Sequence, residues 1–415
     1  MNTILSCISR FAALLAGLGG SVITARTLGP EGRGHFFYVM TAANTIVQLC
    51  NLGLASSNTI LALKNPKQTR GLIWNAVFVS VLVPCIGLVV LSPFSTSVLK
   101  GSIPVIYLLS VLLLLWLFGT NILLAFGHVK AYNGFQIFNS FLTFFLYLSL
   151  SRLFKSNVSY PSFVWGFTVS LALSFFFLVL FLKKTLLPSL SLEKPSGELF
   201  KKSFQVGIRA YTCTLMGYLI LRFNVFALGA DRTSEELGFY SIAMQMCDVL
   251  NIFPQTIGML LFPKLVKMEP EARWQFTMKS LKIISIIMLL ACACAYVFAP
   301  VALPLVFGTR YSQSVASLNA LLPGMFCLAL VTVLNQYLAA ASFPFLVVIN
   351  WVFGFVCICI ISPPLVRRFG PMGAGAALTI TYVINLGLTI AISQYYKMRL
   401  ESKLVNDSFG NFSTL

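Results

Sequence analysis

The chain carries about twelve apolar runs, each long enough to cross a hydrocarbon layer ~30 Å thick at a helical rise of 1.5 Å per residue. They fall near residues 3–25, 36–63, 72–92, 103–126, 131–151, 161–182, 204–229, 239–262, 281–307, 317–341, 345–366 and 373–395. No water-soluble fold accommodates them. Of 415 residues, 58% are hydrophobic and 10% charged, whereas a soluble domain holds roughly 45–50% apolar and about 25% charged residues. A globular interior cannot hide that surplus, because its surface must still meet water. Inside lipid each segment must satisfy its own backbone hydrogen bonds, and runs of this length do so as helices. The expected fold class is an all-α polytopic membrane protein. Soluble enzymes, disordered chains and disulfide-stapled secreted modules are excluded.

Charge sets the expected orientation. Lys and Arg number 29 against 11 Asp and Glu, a net charge of +18. In a soluble protein that excess points to nucleic acid; here it sorts by loop. Loops on one side carry 16 basic residues, among them Lys64, Lys130, Lys183, Lys184, Lys264 and Lys397, and loops on the other carry nine. Basic loops stay in the cytoplasm, so both termini are expected there. The Arg367-Arg368 pair runs against the bias. All ten cysteines lie in apolar runs, where the residue serves as small packing filler, so neither a disulfide framework nor a zinc site is expected. The two histidines, His35 and His128, stand in different loops.

An even number of spans with a basic linker at 183–203 reads as two six-helix halves, 1–182 and 204–395, followed by a cytoplasmic tail, 396–415. The halves echo each other. Helix 1 runs into Leu28-Gly29, a short polar turn, then Gly34-His35-Phe36; helix 7 runs into Leu228-Gly229, a slightly longer turn, then Gly238-Phe239-Tyr240. Asn121–Ala125 and Asn335–Ala339 form a second echo. With an even number of spans per half, the repeats share one orientation, as in parallel-repeat transporters.

The stretch Ala25-Arg-Thr-Leu-Gly-Pro-Glu-Gly-Arg-Gly34 resembles the helix 1–2 signature of Wzx-type polysaccharide and oligosaccharide flippases. These belong to the multidrug/oligosaccharidyl-lipid/polysaccharide (MOP) exporter superfamily. Gly127-His-Val-Lys-Ala-Tyr-Asn133 is similar to the family's pattern after helix 4; the second-half counterpart, Ala341–Phe345, lacks its basic residue. The resemblance implies a MATE-like pair of bundles around a central cavity, in a bacterial inner membrane. It implies a substrate, a polyprenyl-diphosphate-linked oligosaccharide, moved between leaflets during O-antigen, capsule or exopolysaccharide biosynthesis. Membrane lipids and other polysaccharide-assembly membrane proteins are the implied partners, with no nucleic acid among them, and the chain is expected to act as a monomer. Alternation is expected as rocking of the halves.

Four ionisable residues fall within spans: Arg10, Arg209, Arg222 and Asp248. Facing lipid, each costs a few kcal/mol or more, so each needs a cavity or a partner. Arg10 and Arg209 stand at near-equivalent places on helices 1 and 7, the first helix of each half. Their planar, permanently charged forks suit the two phosphates of a diphosphate. They also lie near enough to the cytoplasmic ends to snorkel. Arg222 sits ~11 Å before the outer end of helix 7 and Asp248 ~14 Å after the start of helix 8, which predicts a buried ion pair at one depth. The pair either cancels two charges or serves coupling and gating, with H⁺ or Na⁺ as the ion; no other cofactor is expected. Asn44, Gln48 and Asn51 share one face of helix 2, and Asn44 is the repeat counterpart of Asp248. Asn44 and Gln48 suit sugar hydroxyls, or equally interhelical hydrogen bonds.

No Walker motif and no catalytic constellation are visible, so the chain is not expected to be an enzyme. A membrane glycosyltransferase or polymerase would need a sizeable loop of acids or bases, and the loops are short. The closer alternative is a MATE-type cation or drug antiporter, whose cavity would favour acids; one acid against three arginines argues for anions.

Overall fold

The computed structural model describes residues 2–65, 68–94, 96–153, 158–185, 197–341 and 345–410; for residues 2–11, 94, 209 and 400–410 it describes the backbone alone. Helices make up these segments, and no strand occurs among the described residues. In chain order they are α1 (Asn2–Cys50), α2 (Leu54–Lys64), α3 (Thr69–Leu91), α4 (Ser97–Ala125), α5 (Val129–Leu153), α6 (Tyr160–Thr185), α7 (Gly197–Asp231), α8 (Ser234–Leu250), α9 (Ile252–Val266), α10 (Pro270–Phe307), α11 (Ser314–Ala340) and α12 (Phe345–Gly410).

Ten stretches are long and apolar enough to cross a membrane. Two of them, Ala12–Cys50 and Phe345–Arg399, each hold a pair of the expected spans joined without a loop. The joints are Gly29 (φ 66°, ψ −178°) and Gly370 (φ 56°, ψ −135°), and a proline follows each. Positive φ with ψ this extended is essentially reserved for glycine. The proline then has its φ preset and needs no N–H partner, which suits the first residue of the next helix. The surrounding hexapeptides match: Gly29-Pro-Glu-Gly-Arg-Gly34 and Gly370-Pro-Met-Gly-Ala-Gly375.

Two expected spans are broken instead. Helix 2 ends at Cys50 and resumes at Leu54, with Leu52 (φ 50°) and Gly53 (φ 74°) in left-handed conformation between. Asn51 bridges the gap by accepting the Ala55 N–H at 3.1 Å. Helix 8 breaks at Asn251, dividing α8 from α9.

The chain divides into two compact units. The first comprises 1–218 with the short segments 232–238 and 306–310; the second comprises 219–231, 239–305 and 311–415. In the first, α1 packs against α3, α4, α5 and α6. Tyr147 is its aromatic centre, edge-on to Phe163 at 5.1 Å and to Phe36 at 6.2 Å. In the second, α11 is the most enclosed helix and packs against α9 and α12. α10 carries the exposed apolar face expected of a lipid boundary: Leu289, Leu290, Val297 and Phe298.

Candidate functional site

In the first unit, Asn44 and Gln48 lie in the last turns of α1, both half-buried. The Asn44 amide donates back to the Met40 carbonyl at 2.8 Å, as polar side chains do within apolar helices. Beside them Thr45 bonds its own helix at Thr41 (2.8 Å) and lies 3.4 Å from the Tyr218 hydroxyl of α7. Just below, the break at Asn51–Gly53 frees carbonyls that would otherwise be bonded along the helix. The Tyr211 hydroxyl serves two of them, its single proton shared between the carbonyls of Gln48 (2.9 Å) and Leu49 (2.8 Å). Gly53 and Gly207 press backbone on backbone there; a β-carbon on Gly207 would sit 2.6 Å from the Gly53 carbonyl oxygen. The face expected to meet sugar is thus tied to the first half of α7 by Tyr211 and Tyr218.

Arg10 and Arg209 stand on the helical backbones of α1 and α7, and their side chains lie outside the described residues. A third arginine falls in the polar turn expected between helices 1 and 2, and the structure places it on a helix. Arg33 lies on the second part of α1 and is only 5% exposed. Its guanidinium bonds the hydroxyls of Thr24 and Ser21, the latter at 2.8 Å, and its carbon lies 5.5 Å from the Phe36 ring centre. The helix extends through the predicted loop because the turn at Gly29 needs a single residue. Arg33 is therefore carried into the protein.

The same turn is clasped by segments from the second sequence half that belong to the first unit. Arg26 donates to the Val306 carbonyl at 2.9 Å. A β-carbon on Gly34 would overlap the Ser234 carbonyl, and one on Gly238 would overlap the Pro30 carbonyl. The contact is reciprocal, each glycine resting on the residue four places before the other.

In the second unit, Arg222 of α7 meets Asp248 of α8. One guanidinium nitrogen donates to both carboxylate oxygens, at 3.0 and 2.8 Å. The expectation of a buried pair needs correction: the Arg222 side chain is 17% exposed, but that of Asp248 is 45% exposed. The carboxylate is accessible while bonded. Two residues on, the opposite face of α7 is locked inward. Asn224 donates to the Ala374 carbonyl (2.7 Å), accepts the Ser362 hydroxyl (2.6 Å) and lies 3.4 Å from the Tyr240 hydroxyl, all within the interior. This node fixes the rotation of α7 and so directs Arg222 to its partner. It escaped the sequence reading, although Ala374 lies in the repeated Gly-Pro-x-Gly-x-Gly motif.

No cluster of three or more His, Cys, Asp or Glu capable of holding a metal occurs among the described residues. What the geometry offers is a partly open ion pair, a hydroxyl-bonded arginine and amide-bearing helix faces.

A family model for "Polysaccharide biosynthesis protein" matches residues 1–269. The chain belongs to that family. With ten stretches long and apolar enough to cross a membrane, it is a multi-pass membrane protein. No curated protein sequence matches. Among solved structures, an inward-facing multidrug-resistance MATE transporter of the MOP superfamily is similar with a TM-score of 0.75 at 14% identity, over 94% of this chain and 95% of that one. The lipid II flippase MurJ, in an inward closed conformation, is similar with a TM-score of 0.73 at 12% identity, over 99% and 93%. An outward-facing MATE transporter gives 0.66 at 15% identity, over 96% and 95%. These likenesses carry the fold, and the all-helical MATE-like architecture is as the sequence resemblance implied.

Proposed function

We propose that the chain flips a polyprenyl-diphosphate-linked oligosaccharide across the bacterial inner membrane by alternating access. The family match over residues 1–269 carries this reading. Charge supports it. The head group must bring a diphosphate through a medium that penalises charge, and arginines within spans offset that cost. In this reading Arg10 and Arg209 hold the diphosphate, and Asn44 and Gln48 meet sugar hydroxyls. The Arg222–Asp248 pair opens and closes during the cycle, with H⁺ or Na⁺ as a coupling ion. Binding must be modest, since a site that favours neither state drives no alternation.

One observation favours a second reading, cation or drug antiport: the Asp248 carboxylate is 45% exposed and within reach of a cation. Reconstitution into liposomes separates the two. A fluorescent polyprenyl-diphosphate sugar and a cationic dye are scored in parallel for appearance across the bilayer. Sugar crossing that falls on loss of Arg10 or Arg209 supports the flippase. Dye movement that depends on Asp248, with no sugar crossing, makes the chain an antiporter.

A further inference from the structure

The sequence motif after helix 4 has no part in the site above. It opens α5, and the structure places it at one end of an aromatic groove on the first unit. The groove, about 350 Å³, is lined by Ala131, Gly134, Phe135 and Phe138 of α5 and Phe177 and Phe181 of α6. Phe135 meets Phe181 and Phe138 meets Phe177 edge to face, each at 5.7 Å between ring centres. These two pairs join the helices and form the walls. The floor is Ala131 and Gly134, one turn apart, and a β-carbon on Gly134 would meet nothing within 4 Å. Phe138 and Phe177 are 41% and 47% exposed, so the groove is open at the surface of two spanning helices. It runs roughly 10 Å along α5.

Its rim is basic. His128 lies against Phe181, ring centres 6.2 Å apart. Lys130 is exposed beside Ala131, and Lys183 and Lys184 are exposed in the last turn of α6, just beyond Phe181. An apolar slot one helix turn below three ammonium groups has the form of a lipid seat, chain in the slot and head at the rim. Two features select among lipids. Three lysines match more negative charge than the single charge of a phosphodiester headgroup. The phenylalanine pairs, set edge to face, present ring faces and edges that the methyl branches of an isoprenoid chain can touch in addition to its backbone.

We propose that the α5–α6 groove seats the head-proximal isoprenoid tail of a polyprenyl diphosphate, with the diphosphate at Lys130, Lys183 and Lys184. The inference rests on the flippase reading and on the basic loops being cytoplasmic, and it adds a station at which substrate waits in the inner leaflet before entering.

The full chain is tested in phosphatidylcholine vesicles with a polyprenyl diphosphate bearing a diazirine near the head of its tail. After illumination, label is mapped by mass spectrometry. The expected result is label within 131–138 and 177–181, cut at least about fivefold by Gly134→Phe, since losing the burial of even about one methylene is worth that much. Ala131→Leu, a milder filler, lowers it in the same direction. Lys130→Ala, Lys183→Ala and Lys184→Ala together lower it as well, and excess phosphatidylglycerol does not displace it. Label elsewhere, label indifferent to both fillers, or equal displacement by phosphatidylglycerol overturns the proposal, the last by making the groove a site for ordinary anionic lipid. Flipping is measured on the same vesicles. Flipping without groove label sinks the seat and leaves the flippase. Groove label without flipping sinks the flippase reading and leaves a lipid-diphosphate site.

Discussion

Arg222 and Asp248 show what a single residue contributes when its partner is half open. Removing the acid strands the better-buried guanidinium, whereas removing both charges strands nothing. Asp248→Leu is therefore expected to destabilise the protein by about 1–3 kcal/mol, and adding Arg222→Met should recover most of that loss. Thermal unfolding in detergent of both single variants and the double closes the cycle; additive losses would mean the two side chains do not interact. Arg273 makes a different kind of contribution. It donates to the carbonyls of Leu265 (3.0 Å), Met268 (3.0 Å) and Ala340 (3.2 Å), capping the ends of two helices with one side chain. Hydrogen bonds from a charged donor are among the stronger ones, so Arg273→Ala should cost about 2–3 kcal/mol, and Arg273→Lys should recover only part because it lacks the fork. An unchanged melting temperature in Arg273→Ala would show that water serves those carbonyls as well.

At the scale of elements, the joints matter most. Gly29 and Gly370 each turn the chain between two spans with a single residue. An alanine at either is expected to cost about 1–3 kcal/mol from backbone strain alone. Gly17, inside the first span with open space around it, is the control: Gly17→Ala should be neutral or stabilising. If all three behave alike in thermal unfolding, the strain argument fails. These joints also mark where sequence reading stops. The spans were legible because apolar length is a property of the chain itself. The Arg222–Asp248 contact was legible because depth along two antiparallel helices is simple arithmetic. The breaks at Asn51–Gly53 and Asn251 were not, since each lies inside an expected span, and the first depends on partners far along the chain, Tyr211 and Gly207. The second Gly-Pro-x-Gly-x-Gly copy straddles the short gap between the last two expected spans and the start of the last, where only the arginine pair stands out. Arg33 was misplaced because a polar hexapeptide reads as a loop until the turn is known to need one residue. The node at Asn224 joins residues from three spans, a proximity that periodicity does not encode.

For the whole molecule, the flippase reading makes a combined demand on residues from both sequence halves. Arg10→Ala with Arg209→Ala is expected to cut flipping of a polyprenyl-diphosphate sugar by at least about a hundredfold, since two charge-assisted contacts at roughly 1.5–3 kcal/mol each are lost. Either single change should fall between the double variant and the parent. Normal expression with undiminished flipping in the double variant would sink the assignment of these two residues. Orientation is testable apart from function. A reporter active only in the cytoplasm, fused after residue 415, should be active if the lysine-rich loops face inward. An inactive reporter would reverse the sidedness on which the groove proposal depends.

The reciprocal glycine contact has the form of a twofold homodimer interface written within one chain, where one patch serves on both sides. Two separate copies of a gene product must keep such a patch identical, because every change appears twice. A single chain is released from that constraint. Its two patches agree where backbone touches backbone, at Gly34 and Gly238, and in the acids Glu31 and Glu235. They differ one residue before each glycine, where the first has Arg33 and the second the buried Leu237. The contact is symmetric and the charge is not.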